Sequence, residues 1–157
     1  MEQATFQQIY EAHAGDVLRF ARYLTGDASR AEEIASETFL RAWISRSRIK
    51  TETAKAYLLA IARNLSIDAR RRERPSVPLM DEHAVAAHGA DSKLELERVF
   101  SAMEQLPEGQ REALVLTAVH GLSYEEASRV LEVPLSVLKV RIHRARLRLA
   151  GSQESEP

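Results

Sequence analysis

Apolar side chains recur at spacings of three and four residues along most of this chain, which is the period of an α-helix. The first two patterns occupy residues 6–13 and 17–24, and Gly26 is a stop signal after the second. No segment keeps the strict alternation of apolar and polar residues that a half-buried strand would show. The first part of the chain therefore predicts two short helices.

Two longer helices follow in the prediction. Asp27 has the position of a cap for the first, and Pro75 stops the second. The apolar positions of the first are Ala31, Ile34, Ala35, Thr38, Phe39, Ala42 and Trp43. Those of the second are Ala54, Tyr57, Leu58, Ile61, Ala62, Leu65 and Ala69. We expect the four helices to form one module over residues 1–75, followed by a flexible linker over residues 76–92.

A second helical module is predicted over residues 93–150. Pro107 opens a helix that Gly121 ends. Ser123 and Glu126 have the spacing of a capping box, which places the start of another helix directly after Ser123. The predicted fold class is therefore all-α, with two small helical modules joined by a linker.

The last predicted helix follows a tight turn at residues 132–134. Its apolar stripe consists of Leu138, Ile142, Ala145 and Leu149. Most of the remaining surface is basic, with five Lys/Arg and no acid from Lys139 to Arg148. A short capped helix, a tight turn and a second helix with one docking stripe predict a helix-turn-helix. Residues 151–157 are predicted to be a disordered tail.

The net charge of −1 hides a strong separation of charge along the chain. Residues 41–74 contain ten Lys/Arg against three Asp/Glu. Residues 1–40 contain seven acids and three bases, and residues 77–112 contain eight acids and three bases. Together with the last helix, this pattern predicts two surfaces that face polyanions.

Both basic regions are typical of nucleic-acid binding, and each also has a plainer interpretation. The last helix favours the major groove of duplex DNA, although a basic helix can also simply face solvent. Trp43 and Tyr57 lie among the bases of residues 41–74, as single-stranded nucleic acid would require. Alternatively, the two aromatic rings belong to the core, and Arg70–Arg74 is a solvated helix end that interacts favourably with the helix dipole.

Composition excludes several classes of protein. The chain has no cysteine, which rules out disulfides and thiolate metal sites and indicates the cytoplasm. No apolar run approaches the roughly 20 residues of a membrane span, and no signal-peptide pattern is present. The five histidines share no metal-ligand spacing, and no catalytic triad has local support. We therefore expect a non-enzymatic protein with no cofactor and no membrane insertion.

Three parts of the sequence carry a family resemblance. The first is AEEIASETFLRAW, residues 31–43. The second is YLLAIARNLSID, residues 57–68, followed by the arginine run. The third comprises LPEGQRE, GLSYEE and RIHRAR, at residues 106–112, 121–126 and 141–146. In this order and spacing they resemble the bacterial extracytoplasmic-function (ECF, group IV) sigma factors of the sigma-70 family.

The resemblance implies a dissociable RNA polymerase subunit that directs promoter-specific transcription initiation. Residues 1–75 would be sigma region 2, and residues 93–150 would be sigma region 4. Core RNA polymerase would bind the outward face of the third predicted helix through its β′ clamp, with further contacts to β. The docking residues implied are Glu33, Ser36, Glu37, Leu40 and Arg41. An anti-sigma factor wedged against both modules would keep such a protein inactive.

The resemblance also assigns the two promoter-binding surfaces. The loop over residues 45–53 and the fourth predicted helix would separate the strands of the −10 element and hold a flipped base. The residues implied there are Arg48, Lys50, Lys55, Tyr57, Arg63, Asn64, Arg70, Arg71 and Arg72. In the −35 major groove, the base-facing residues implied are Ser136, Lys139, Val140, His143 and Arg144. Arg141 and Arg146 would contact phosphates.

Some positions depart from the family pattern. Ser36, Glu132 and Val140 stand where the family usually has Gln, Gly and Ser. Two alternatives therefore stay open. One is a stand-alone helix-turn-helix regulator, which leaves the basic block at residues 41–74 unexplained. The other is a degenerate sigma-like protein that binds core polymerase or an anti-sigma factor without initiating, an alternative that Ser36 and Glu132 support.

Overall fold

The computed structural model describes residues 3–72 and 101–154. Its backbone contacts divide the chain into two compact units, Met1–His83 and Ala84–Pro157. All regular structure in the described ranges is helical, which confirms the predicted all-α class with two modules. The module boundaries at residues 75, 92 and 150 stay predictions, and the linker over residues 76–92 lies outside the described residues.

The first unit contains three long helices. They are α1 (Gln3–Thr25), α2 (Ala28–Ile44) and α3 (Ala54–Arg72). Two short 3₁₀ turns, Arg46–Arg48 and Thr51–Thr53, connect α2 to α3. Helices α1 and α2 pack on each other, and α3 packs against both.

The two short helices predicted before Gly26 form the single helix α1, so the prediction of four helices in the first module is wrong. Gly15 separates the two apolar patterns but remains helical, because one glycine costs only about 1 kcal/mol relative to alanine. Val17 and Phe20 continue the stripe that begins at Ile9, and all three side chains are buried. One continuous core-facing stripe therefore favours one continuous helix.

The predicted boundary between α1 and α2 is confirmed. Gly26 adopts a left-handed conformation (φ 71°) that reverses the chain after α1. Asp27 caps α2, with its side chain accepting a hydrogen bond of 3.1 Å from the Arg30 N–H. Five of the seven predicted stripe positions of α2 are buried, namely Ala31, Ile34, Thr38, Phe39 and Ala42. The Thr38 hydroxyl is satisfied by donating to the Ile34 carbonyl at 2.7 Å.

The buried stripe of α3 differs from the predicted one. The buried residues are Ala54, Ala56, Leu58, Leu59, Ala62 and Ser66. The core side of the helix is therefore turned toward Leu59 and Ser66, which leaves Tyr57 and Ile61 only half-buried. The Tyr57 ring therefore lies at the rim of the module, where it is partly accessible.

The second unit ends in a helix-turn-helix. Residues 101–104 are helical, and Pro107 is the N-cap of α4 (Glu108–Leu114) rather than its first helical residue. A π-helical turn, Val115–Val119, extends α4. Helices α5 (Tyr124–Leu131) and α6 (Leu135–Glu154) complete the unit. Because Gly151 remains helical, α6 continues to Glu154, and residues 151–154 of the predicted tail are helical. Residues 155–157 lie outside the described part.

A capping box begins helix α5, and a left-handed turn connects its end to α6. Ser123 and Glu126 form the predicted capping box: the Glu126 N–H donates to the Ser123 hydroxyl at 3.0 Å, and the Ser123 N–H donates to the Glu126 carboxylate at 2.9 Å. At the other end of α5, Glu132 is left-handed (φ 59°, ψ 44°). The Val133 N–H then bonds to the Ser128 carbonyl at 3.1 Å. Glu132 thus keeps the turn that a glycine would form with less strain.

Candidate nucleic-acid interface

Helix α6 is held to its module by one narrow stripe. Leu138, Ile142 and Ala145 are buried, and Leu149 is half-buried, as predicted. The stripe packs against α4 and α5. A helix of 3.6 residues per turn that docks in this way leaves the rest of its circumference accessible.

The outer face of α6 has an uncharged centre between two basic flanks. Positions 136, 140, 143 and 147 lie opposite the buried stripe, and the flanks follow from the same helical spacing. Arg144 and Arg148 lie on one flank, and Lys139 and Arg146 lie on the other. Of the predicted −35 residues, the exposed ones are Ser136, Lys139, Val140, His143, Arg144 and Arg146. This arrangement suits a groove with a phosphate backbone on either side.

Arg141 differs from the other predicted −35 residues because it is half-buried. A methyl group added at Gly109 would lie 3.1 Å from the Arg141 guanidinium carbon, so the guanidinium sits against the first turn of α4. A cation there fills space between two helices. The geometry favours a packing role for Arg141 over the predicted phosphate contact.

The connection between α2 and α3 presents cations around a buried anchor. Arg48 and Lys50 are exposed, whereas Ile49 between them is buried. Two successive 3₁₀ turns bend the chain on either side of Ile49. The anchor therefore holds the two predicted −10 contacts at the surface.

Aromatic and polar contacts hold the ends of this connection. The Ser45 and Tyr57 hydroxyls share a hydrogen bond of 2.8 Å between α2 and α3. The Arg46 guanidinium lies 3.7 Å from the centroid of the Trp43 ring and donates to the Trp43 carbonyl at 2.8 Å. The Trp43 ring also packs edge-on against Phe6, with the centroids 5.1 Å apart. Trp43 is thus a structural residue, which favours the core interpretation of this ring.

Lys55 is half-buried and lies beside α1. Its ammonium lies 3.6 Å from the Asp16 carboxylate, which links α3 to α1. Beside this pair, burial lowers the pKa of His13, opposed by the Asp16 charge, while the Lys55 charge lowers it further. The predicted −10 role of Lys55 therefore competes with an existing ion pair.

The remaining predicted −10 residues divide between two sides of α3. Tyr57, Asn64 and Arg71 are seven residues apart, about two turns, and so share one face. Arg63 and Arg70 share a different face, and each already has an interaction partner within the chain. Asn64, Arg70, Arg71 and Arg72 are exposed.

The outward face of α2 carries the predicted polymerase-docking residues. A shallow depression on this face is lined by Ser29, Glu32, Glu33, Ser36, Glu37 and Leu40. Glu37 and Arg41 form an exposed ion pair of 3.0 Å. Leu40 is 54% exposed, and Ile44, one turn further on, is 74% exposed. Ile44 was not among the predicted docking residues, although its four-residue spacing from Leu40 places it on this face.

The described ranges contain neither a membrane-spanning helix nor a cluster of metal-ligating side chains. None of the helices there is long and apolar enough to cross a membrane. No group of three or more His, Asp or Glu side chains in residues 3–72 and 101–154 is arranged to hold a metal ion.

The first module has a helix with a basic rim. The second module has a helix-turn-helix whose outer face lies between two basic flanks. Together they indicate a nucleic-acid-binding protein of two modules. Comparison with protein families makes the class specific. The Sigma-70 region 2 family matches residues 9–75, and the Sigma-70 region 4 family matches residues 96–149.

Individual relatives agree with this match along nearly the whole chain. The ECF RNA polymerase sigma factor SigM of Bacillus subtilis is 32% identical over 151 residues, which cover 92% of this chain and 93% of SigM. The ECF sigma factor EcfG of Rhodopseudomonas palustris is 34% identical over 137 residues, covering 84% of this chain and 76% of EcfG. The chain therefore belongs to the ECF sigma factors of the sigma-70 family.

Solved structures show the same architecture. The sigma factor RpoE of Bartonella quintana, in complex with the anti-sigma factor NepR, matches with a TM-score of 0.80 and 28% identity, covering 98% of this chain and 99% of RpoE. CnrH, in complex with the cytosolic domain of CnrY, matches with a TM-score of 0.73 and 27% identity, covering 99% and 92%. The predicted function is thus confirmed: the protein is an RNA polymerase sigma subunit that directs promoter-specific initiation, with core polymerase and promoter DNA as partners.

Proposed function

We propose that this sigma factor divides initiation among three surfaces built from the residues above. Helix α2 docks on core polymerase, the rim of α3 captures the −10 element, and α6 reads the −35 element. The observation that carries the proposal is the outer face of α6, which has an uncharged centre and cations on both flanks opposite a buried docking stripe. As a sigma subunit it would work in the cytoplasm, without catalytic activity of its own.

The docking surface combines acidic and apolar groups. Glu33 and Glu37 lie one turn apart on α2, and Leu40 lies beyond them on the same face, beside Arg41. A partner with a basic rim and an apolar centre, here the β′ clamp, would complement it. Ser36 has a shorter side chain than the usual Gln, and Ile44 adds apolar area nearby.

The −10 surface is narrower than the sequence predicts. We assign it to the exposed cations Arg48, Lys50 and Arg72 together with the face of Tyr57, Asn64 and Arg71. Cations would hold the phosphates, and the half-buried Tyr57 ring offers a surface for an unstacked base. Lys55 contributes to the module's own packing instead.

Regulation by an anti-sigma factor is also part of the proposal. Two structurally similar proteins, RpoE and CnrH, were solved with an anti-sigma factor and with a cytosolic domain, respectively. The exposed apolar side chains Leu40 and Ile44 would give such a partner a binding surface on the first module.

The test is co-elution with bacterial core RNA polymerase from the matching host on gel filtration. We expect the wild-type chain to co-elute, Glu33→Lys to lose binding, and the control Glu11→Lys, on the exposed side of α1, to retain it. Glu33 is preferred to Glu37 because Glu37 is engaged by Arg41.

Transcription from fragmented genomic DNA then separates a working sigma factor from a degenerate one. Defined transcripts with wild-type protein, and none with Glu33→Lys, would support the proposal. Binding to core without any transcript would establish the degenerate alternative. Specific duplex binding without core, and no co-elution, would establish the stand-alone regulator.

A further inference from the structure

Val140 occupies the centre of the outer face of α6. It is two residues after Leu138 and two before Ile142, both buried, so it points about 200° around the helix from each of them. Its side chain is 45% exposed. Ser136 and His143, about one turn away on either side, are exposed on the same face.

An exposed aliphatic side chain at this place is chemically selective. The base edges in the major groove present hydrogen-bond donors and acceptors, together with one apolar group, the 5-methyl of thymine. Val140 has no side-chain nitrogen or oxygen, so it has nothing to offer the polar edges. Burying a donor or acceptor against its methyl groups would leave that polar group unpaired, which is unfavourable.

The position of Val140 along α6 also fits contact with bases. A recognition helix reads base edges with its N-terminal residues. Val140 lies in the second turn of α6, which begins at Leu135. Leu147 is on the same face and 58% exposed, but it lies about 10 Å further along the axis. Leu147 therefore serves as a matched apolar control.

We propose that Val140 is a specificity-determining residue that selects a thymine in the −35 element through its 5-methyl group. The inference rests on the proposed placement of α6 in the −35 major groove. Ser136 and His143 would bond to the polar edges of neighbouring base pairs, and the flanking cations would contribute affinity without sequence preference.

The experiment begins with promoters selected in vitro by the full-length protein and core polymerase from a library randomised in the −35 region. Each thymine of the selected element is then replaced by uracil, which lacks only the methyl group. Holoenzyme binding is measured on each template for the wild type, Val140→Ala, Val140→Thr and Leu147→Ala. Because Val140 is exposed and alanine favours helices, the variants keep their fold.

At one position we expect uracil to weaken wild-type binding about threefold to fourfold, the effect of one buried methyl group. Val140→Ala should bind thymine and uracil equally there. Val140→Thr, which keeps one methyl, and Leu147→Ala should retain the discrimination.

Three results would overturn the inference: selected −35 elements without thymine, wild-type binding unaffected by uracil at every position, or discrimination that persists in Val140→Ala. A selection that recovers no promoter would instead refute the proposed function and the inference with it. A recovered promoter without methyl dependence refutes the role of Val140 alone.

Discussion

Helices α3 and α6 are both basic, yet they expose their cations very differently. Helix α6 docks through a single stripe and leaves an uninterrupted outer face between two basic flanks. Helix α3 packs against both α1 and α2, and its six buried positions occupy much more of the circumference. One of its cations, Lys55, is paired with Asp16 of α1, and both side chains are partly exposed. The number of packing partners therefore decides how much of a basic helix can meet DNA.

The single contact that holds α6 to its module is tested at the docking stripe. Ile142→Ala removes buried methyl groups from this single contact and should lower the free energy of unfolding of the second module by about 2–5 kcal/mol. Hydrogen exchange of the α6 amides in the full chain measures the change. Leu147→Ala, on the exposed side, is the control and should change protection little. Equal effects of the two substitutions would mean that α6 is held by more than one stripe.

The rim of α3 is tested by charge reversal. Arg71→Glu together with Arg72→Glu should reduce open-complex formation at least tenfold, because two phosphate-attracting charges become repulsive. Permanganate reactivity of unpaired thymines reports the open complex. Arg22→Glu, at an exposed position of α1, is the control and should leave melting intact. Unchanged transcription from the double variant would refute the −10 surface.

Lys139 on α6 and Lys55 on α3 are expected to differ in their contribution to promoter binding. Lys139→Ala should make the salt dependence of promoter binding shallower by about one unit of slope, since one phosphate contact is lost. Lys55→Ala should leave the slope unchanged, because its ammonium lies 3.6 Å from Asp16. Binding titrations over a range of salt concentrations measure both. A shallower salt dependence for Lys55→Ala would show that Lys55 does contact DNA.

The smallest expected change in stability comes from a substitution in the turn before α6. Glu132→Gly should raise the free energy of unfolding by about 1 kcal/mol, because glycine adopts the left-handed conformation without strain. Promoter affinity should stay the same, since the geometry of the turn is already that of a glycine. Urea unfolding of the full chain measures the change in stability. Glu125→Gly, within helix α5, is the control and should lower the free energy of unfolding. A destabilised Glu132→Gly variant would show that the Glu132 side chain stabilises the turn.

Local signals in the sequence predicted the parts of the fold that depend on local physics. The caps at Asp27 and Ser123 need only a side-chain oxygen at the right distance along the chain, and both are confirmed. The stripe of α6 was predictable because its apolar residues recur at the helical spacing and basic residues lie on both sides of them.

The features that depend on packing partners were not predictable. Residues 56–62 of α3 are apolar on every side, so their spacing does not say which face is buried. Only contact with both α1 and α2 selects Leu59 and Ser66 over Tyr57 and Ile61. Arg141 could not be assigned correctly for the same reason. Its charge predicted a contact with DNA, but its position beside Gly109 depends on how α4 and α6 pack together.

The contact between Gly109 and Arg141 has an evolutionary consequence. Because the end of the Arg141 side chain lies where a larger side chain at position 109 would be placed, a substitution there requires the guanidinium to shift by a few tenths of an ångström or more. Among related proteins, we expect small residues at position 109 to be more frequent where position 141 is arginine than where it is a shorter residue. This association would be independent of which promoter each relative reads.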